Sequence, residues 1–225
     1  MCGDSRFHQK ETVIHSCSSS HDQICAVFTG YTISIMQKHL ALAIIIVWPV
    51  IPLMWIPVHF FTDYFRKLGK RTYIIVFCVW LACAALLFTN KDALLSSIVN
   101  LPRGFATAGM VLVAGGAVLH VWTARLLTLT GITGGHQLAN RHDVFQPHGA
   151  FAIVRHPTYL AHTILLIGIF LITQYTAVGI VALLDFVLAY TVIIPLEERE
   201  LLKRFGRVYG EYQRKVPRFF PHIRL

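Results

Sequence analysis

Residues 159–195 run for 37 positions with a single charged side chain, Asp185. About 20 apolar residues in helical form already span the hydrocarbon core of a bilayer. A soluble fold has no place for so long an apolar run, and one membrane crossing is shorter than it. Gln174, Tyr175 and Thr176 interrupt the run near its middle, so it reads as a helical hairpin with arms at 159–173 and 177–195. The first arm is short for a full crossing. Three more apolar runs precede it, at 40–61, 72–89 and 104–124. The expected fold is therefore all-α, a polytopic membrane helical bundle of about five transmembrane helices, closed by a C-terminal amphipathic helix at the cytosolic interface. Pro49, Pro52 and Pro57 should kink the first run, leaving carbonyls for neighbouring helices to satisfy.

Charged residues make up 14% of the 225, where a soluble domain usually carries about a quarter. Net charge is +9. A basic balance points to nucleic acid or to a membrane surface; the apolar runs select membrane lipids, and no nucleic-acid partner is expected. With five crossings, 15 of the 20 Lys and Arg fall on the side of the first loop, the third loop and the tail. The positive-inside rule then puts the third loop, 125–158, and the tail, 196–225, in the cytosol. The five Cys lack metal spacing, and no metal site is expected. Residues 1–38 read as a polar leader without the layout of a signal peptide, expected to be disordered or weakly ordered. Met36 is a candidate start of the mature chain. Residues 39–225 then form one transmembrane domain, with the chemistry in 125–225.

Three constellations stand out. The first is Gly149-Ala-Phe-Ala-Ile-Val-Arg155-His156-Pro157-Thr158-Tyr159. Pro157 suits the first turn of a helix, and His156 would sit at its cap, beside free N–H groups and the positive end of the dipole. Such a start holds a ligand's polar end, although Arg, His and Tyr also serve as plain interfacial anchors. The second is Glu197-Glu198, just after the last apolar run, where acids suit a helix start or bind a cation or a sugar hydroxyl. The third is the tail, in which Leu201, Leu202 and Phe205 fall at helical spacing among basic residues, as in an interfacial helix that Gly206 ends. Asp185 lies inside the bundle, where an acid is a functional candidate and His120 or His162 are candidate partners. Gly115-Gly116 reads as a close helix contact.

The order and spacing of these pieces resemble the isoprenylcysteine carboxyl methyltransferase family and the related phospholipid methyltransferases. The shared features are Arg155-His156-Pro157-x-Tyr159, the apolar hairpin, Glu197-Glu198, Phe205-Gly206-x-x-Tyr209, Tyr212 and Val216-Pro217. The resemblance covers roughly residues 125–225. It implies S-adenosyl-L-methionine as cofactor, bound by His136, Asp143, Val144, Phe145, Gln146, Phe151, His156, Pro157, Thr158, Tyr159 and Glu197. Phe151 replaces a usual Tyr and keeps a stacking face. The stretch 143–146 replaces a usual His-x-Leu-Val, and an inserted residue would bring His142 into its place. Ile193 occupies the position of an Arg that helps hold substrate in the eukaryotic prenylcysteine enzymes.

The implied acceptor is a C-terminal S-isoprenylcysteine carboxylate or a similar lipid-like molecule entering from the bilayer, with Arg199 or Arg155 to meet its charge. Glu198 and Arg155 are the candidate catalytic residues. A carboxylate nucleophile needs no strong base, whereas an amine or thiol acceptor would need one, with Glu198 or His156 as candidates. Phospholipid, small-amine or thiol methylation is the alternative within the class. An NADPH-dependent membrane sterol-type reductase and a non-enzymatic membrane scaffold are the alternatives outside it.

Overall fold

The computed structural model describes residues 32–132 and 147–219. The chain divides into two compact units, Met1–His39 and Leu40–Leu225. In the first, residues 32–39 are helical. The sequence places residues 32–38 in a leader expected to be disordered or weakly ordered. Ile33, Ile35 and Met36 lie among them and no helix breaker intervenes before Pro49, so the helix starts earlier than the apolar count alone implies.

The described residues are helical and contain no strand. In chain order they form α1 (32–47), α2 (Val50–Phe60), α3 (Thr62–Leu68), α4 (Arg71–Thr89), α5 (Lys91–Leu94) and α6 (Arg103–Ile132). Then come α7 (Ala150–Ile153), α8 (Pro157–Thr173), α9 (Thr176–Leu188), α10 (Ile194–Phe205) and α11 (Arg207–Lys215). Among the described residues four helical spans are long and apolar enough to cross a membrane: Thr32–Phe60, Arg71–Thr89, Gly104–Leu127 and Thr176–Phe205. The fifth expected crossing, α8, has 17 residues. At 1.5 Å per residue it reaches about 25 Å, short of the roughly 30 Å of a hydrocarbon core. A helical membrane bundle with one short member is what the sequence expectation becomes in three dimensions. Ile74, Phe77, Leu86, Val111 and Val118 are exposed on α4 and α6, an outer face suited to lipid rather than water.

The proline-rich first run breaks as expected. Pro49 separates α1 from α2, and the Trp80 indole of α4 donates to the carbonyl of Ile46 at 2.8 Å. The hairpin turn is equally explicit. Gln174 takes the left-handed conformation at φ 60°, and the loop after α5 pins it: Val99 N–H donates to Gln174 O at 2.8 Å and Thr176 N–H to Ser97 O at 3.0 Å. Leu95, Leu166, Tyr175, Val178, Val181 and Ala182 build an apolar cluster with Ala41 and Ile45. That end of the hairpin is fixed; the chemistry-bearing residues lie at the other.

Glycines set how closely α6 approaches α8. A Cβ on Gly109 would lie 2.7 Å from Gly168 O, and one on Gly116 would lie 2.9 Å from Leu165 Cγ. Gly168 in turn faces Val113 and the Gly109 carbonyl. The backbones can touch only because these positions lack side chains, the small-residue packing typical of membrane helices. Of the expected Gly115-Gly116 pair only Gly116 makes the contact, since nothing lies within 4 Å of Gly115.

Pro195 has no N–H to give the carbonyl of Thr191 and its ring crowds that carbonyl. The chain widens into a π-helical turn over Ala189–Ile193 just before it. One extra residue per turn rotates everything downstream by about 100°, and this sets the faces on which Glu197 and Glu198 emerge.

Gly168→Val should lower stability by about 1–3 kcal/mol through overpacking against α6, whereas Gly115→Ala should stay within about 0.5 kcal/mol of the parent. Thermal unfolding in detergent checks both, and equal effects would contradict the packing described.

Candidate functional site

The site assembles where α7 and the start of α8 meet the end of the long C-terminal helix and the tail. Gly149 opens it at φ 59°, a conformation that favours glycine, with a Cβ at that position meeting Leu126 Cδ1 at 2.8 Å. The chain therefore folds tightly onto α6, makes the single turn of α7, and extends through Val154 to His156. Pro157 begins α8, as its ring and missing N–H favour.

Glu198 is the centre of a clamp. It is 4% exposed. Arg155 donates to its Oε1 from Nε at 2.9 Å, with the second guanidinium nitrogen also at 2.9 Å. Arg218 donates to Oε2 at 2.8 Å, and His156 Nε2 lies 3.1 Å from Oε1. The remaining Arg155 nitrogen donates to the carbonyls of Gln213, at 2.8 Å, and Val216. Backbone bonds run alongside, from Arg155 N–H to Pro217 O at 2.8 Å and from His156 N–H to Arg218 O at 3.3 Å. Tyr212 donates its hydroxyl to Phe151 O at 2.6 Å. The hydrogen bond to Glu198 raises the Arg218 guanidinium above its ordinary range. Burial pushes the phenols of Tyr209 and Tyr212 well up, with the Glu198 charge adding to it, so both stay protonated.

The neighbouring acid is placed differently. Glu197 has a side chain 21% exposed, and its Oε2 lies 3.7 Å from His156 Nδ1, too long for a hydrogen bond. Its Oε2 is buried without a hydrogen-bond partner among the described residues, and so is the Thr158 hydroxyl. The Tyr159 phenol hydrogen-bonds the Glu197 carboxylate and feels its charge and, beyond it, that of Asp185. Tyr159 also packs on His156, ring centroids 5.9 Å apart. Because Arg155 and Arg218 both neutralise Glu198, Glu197 is left as the carboxylate without a salt-bridged guanidinium. Two orphaned polar atoms beside a helix N-terminus and an uncompensated negative charge fit a polar, cationic ligand.

The sequence-predicted residues thus divide. His156, Pro157, Thr158, Tyr159 and Glu197 come together. Phe151 sits half-buried on α7 with its carbonyl tied to Tyr212. Arg155 and Glu198, the two candidates for catalysis, spend their polar atoms on one another and on the tail. Arg199 is exposed and makes no ion pair among the described residues. His136, Asp143, Val144, Phe145 and Gln146, with the alternative His142, lie outside the described residues. Arg218 stands in the aromatic-rich stretch 216–221, which the sequence suggests should cap the site or lie on the bilayer, but nothing local assigns it Glu198 as a partner. Trp48 reads in the sequence as one more apolar residue of the first run. A surface cavity of about 290 Å³ lined by Ala152, Val208, Tyr212 and Val216 contains none of His156, Thr158 or Glu197. Among the described residues no group of His, Cys, Asp and Glu is arranged to hold a metal ion.

Residues 105–208 match the family model described as phospholipid methyltransferase. That match contains the Arg-His-Pro segment, the hairpin and both glutamates. The chain is also 30% identical over 119 residues to the cobalt-zinc-cadmium resistance protein CzcN of Cupriavidus metallidurans, covering 53% of this chain and 50% of that protein. It is 29% identical over 77 residues to the nickel-cobalt-cadmium resistance protein NccN of Alcaligenes xylosoxydans xylosoxydans, covering 34% of this chain and 36% of that one. The chain therefore spans half or less of the length of these curated relatives. No solved structure matches it.

Removing one partner of a buried ion pair leaves the others uncompensated and typically costs 3–5 kcal/mol. Glu198→Ala should lose about that much and free the tail, so that limited proteolysis cuts within residues 207–219. Glu197→Gln should leave melting temperature and cleavage unchanged.

Proposed function

We propose, on the premise that residues 105–208 belong to the phospholipid methyltransferase family, that this integral membrane protein transfers a methyl group from S-adenosylmethionine to a lipid-like acceptor. The observation that carries this reading is Glu197: a partly accessible carboxylate with an unpartnered oxygen, beside the unpartnered Thr158 hydroxyl and the start of α8.

S-adenosylmethionine supplies an electrophilic methyl carbon on a cationic sulfonium. Glu197 attracts that cation and holds the neutral thioether product less well, which favours turnover. Thr158 and the first amides of α8 offer hydrogen bonds to the ligand's polar groups, and His156 with Tyr159 walls the same region. Arg155, Glu198 and Arg218 hold these groups in place rather than reacting. Fixed positioning of this kind supplies up to about 7–11 kcal/mol of barrier reduction in favourable cases. The acceptor's tail lies among the apolar helices, and the exposed Arg199 meets an anionic group on the acceptor, such as a carboxylate or a phosphate. The sequence resemblance favours a C-terminal S-isoprenylcysteine as that molecule, and a lipid-like amine or thiol is the alternative acceptor. The basic first loop and tail support a site on the cytosolic face, where the methyl donor is available.

Membranes reconstituted with the full chain should move labelled methyl from S-adenosylmethionine into an extracted lipid or prenylated acceptor. Glu197→Gln and Thr158→Val should each reduce this at least about tenfold, as loss of a charged or buried hydrogen bond implies. Unchanged transfer in both variants would contradict the assignment.

A further inference from the structure

Asp185 and His162 form a second polar pair, which the clamp does not use. Asp185 is 5% exposed inside the apolar hairpin. His162 Nδ1 lies 3.1 Å from each of its carboxylate oxygens, and the Trp48 indole donates to Oδ1 at 2.9 Å. A carboxylate accepts hydrogen bonds, so it fixes Nδ1 of His162 as the donor; in the neutral ring the lone pair then lies on Nε2. Asp185 is sealed while the His162 side chain stays 25% exposed. His162 follows Thr158 by four residues and Tyr159 by three on α8, so it shares their face about one turn along the helix. The groups around it are Asp185 from α9, His120 from α6, Trp48 from the α1–α2 junction and, within reach of Asp185, Tyr159.

A buried acid inside a membrane bundle is costly. A tie between α8 and α9 alone would not require an imidazole that stays 25% exposed one turn along α8 from Thr158. We propose that His162, oriented by Asp185, is the proton-accepting residue of the methyl transfer, and that the acceptor's nucleophilic atom carries a proton, as an amine or thiol does and a carboxylate does not. This rests on the methyltransferase reading above. The proton on the acceptor's nitrogen or sulfur passes to Nε2 of His162. The lone pair released forms the bond to the methyl carbon. The methyl–sulfur bond of the sulfonium donor breaks with its electron pair kept by that sulfur, and the imidazolium returns its proton to water. Trp48 holds the carboxylate from the other side and is a positioning residue.

Two readouts test this on the full chain in micelles with S-adenosylhomocysteine present. In protein labelled with ¹⁵N-histidine, the Nε2 resonance that His162→Gln removes should shift when dodecylamine or dodecanethiol is added. It should stay put with dodecyltrimethylammonium or dodecanoate, which have no proton to give. Labelled-methyl transfer to dodecylamine or dodecanethiol should fall about 100-fold in His162→Gln, the lower part of the range for general-base catalysis. The residual rate should rise with pH as the acceptor loses its proton in bulk. Asp185→Asn, which no longer enforces the tautomer, should show the same loss, and both variants should keep the parent's binding of S-adenosylhomocysteine. An unmoved Nε2 resonance, undiminished transfer in His162→Gln, or methylation of dodecanoate alone would overturn the proposal. Failure of the parent protein itself to bind S-adenosylhomocysteine would instead strike the methyltransferase reading.

Discussion

Glu198 is the interaction on which the site depends. One buried carboxylate accepts from Arg155, which precedes α8, and from Arg218, which lies beyond α11, with His156 completing the set. Burying that many charged groups is favourable only when every polar atom finds a partner. Here both Glu198 oxygens and all three Arg155 nitrogens do. The tail is thereby folded back over the start of the hairpin. Without the clamp, the first turn of α8 and the Glu197 carboxylate would share an end of the bundle but not a geometry.

Two backbone features let the clamp form. The π-helical turn at Ala189–Ile193, just before Pro195, sets the faces on which Glu197 and Glu198 emerge, one partly open and one sealed. The glycine contacts of α6 with α8 then fix the short helix against the long one. A 17-residue helix makes a poor independent crossing, and packing backbone to backbone against α6 compensates for its lack of length.

Much of the fold was legible in the sequence because bilayer thickness leaves so few options. The apolar runs, the Gln174 turn, the Pro49 break and the Gly206 stop all follow from local rules. The Arg-His-Pro-x-Tyr segment and the glutamate pair, far apart in sequence, meet at one end of the bundle. What was not legible is through-space choice. Nothing in Glu197-Glu198 tells which acid would be neutralised and which left available; the π-turn decides, and it has no sharp sequence signature. Gly109 and Gly168 are 59 residues apart and meet only once α6 and α8 pack. Trp48 pairs with Asp185 across 137 residues, a contact no local periodicity encodes.

The resulting picture is a membrane bundle with polar chemistry graded along α8. At the tail end, Glu198 is consumed in holding the structure. Next to it, Glu197 and Thr158 each keep a buried atom without a hydrogen-bond partner among the described residues. One turn further along α8, His162 is held by Asp185. The measurement that tests the central claim most directly is calorimetric titration of S-adenosylhomocysteine into the folded, detergent-purified full chain. The account predicts saturable binding at one site per chain that Glu197→Gln weakens. Absence of binding by protein whose circular dichroism and cooperative melting show it to be folded would contradict it.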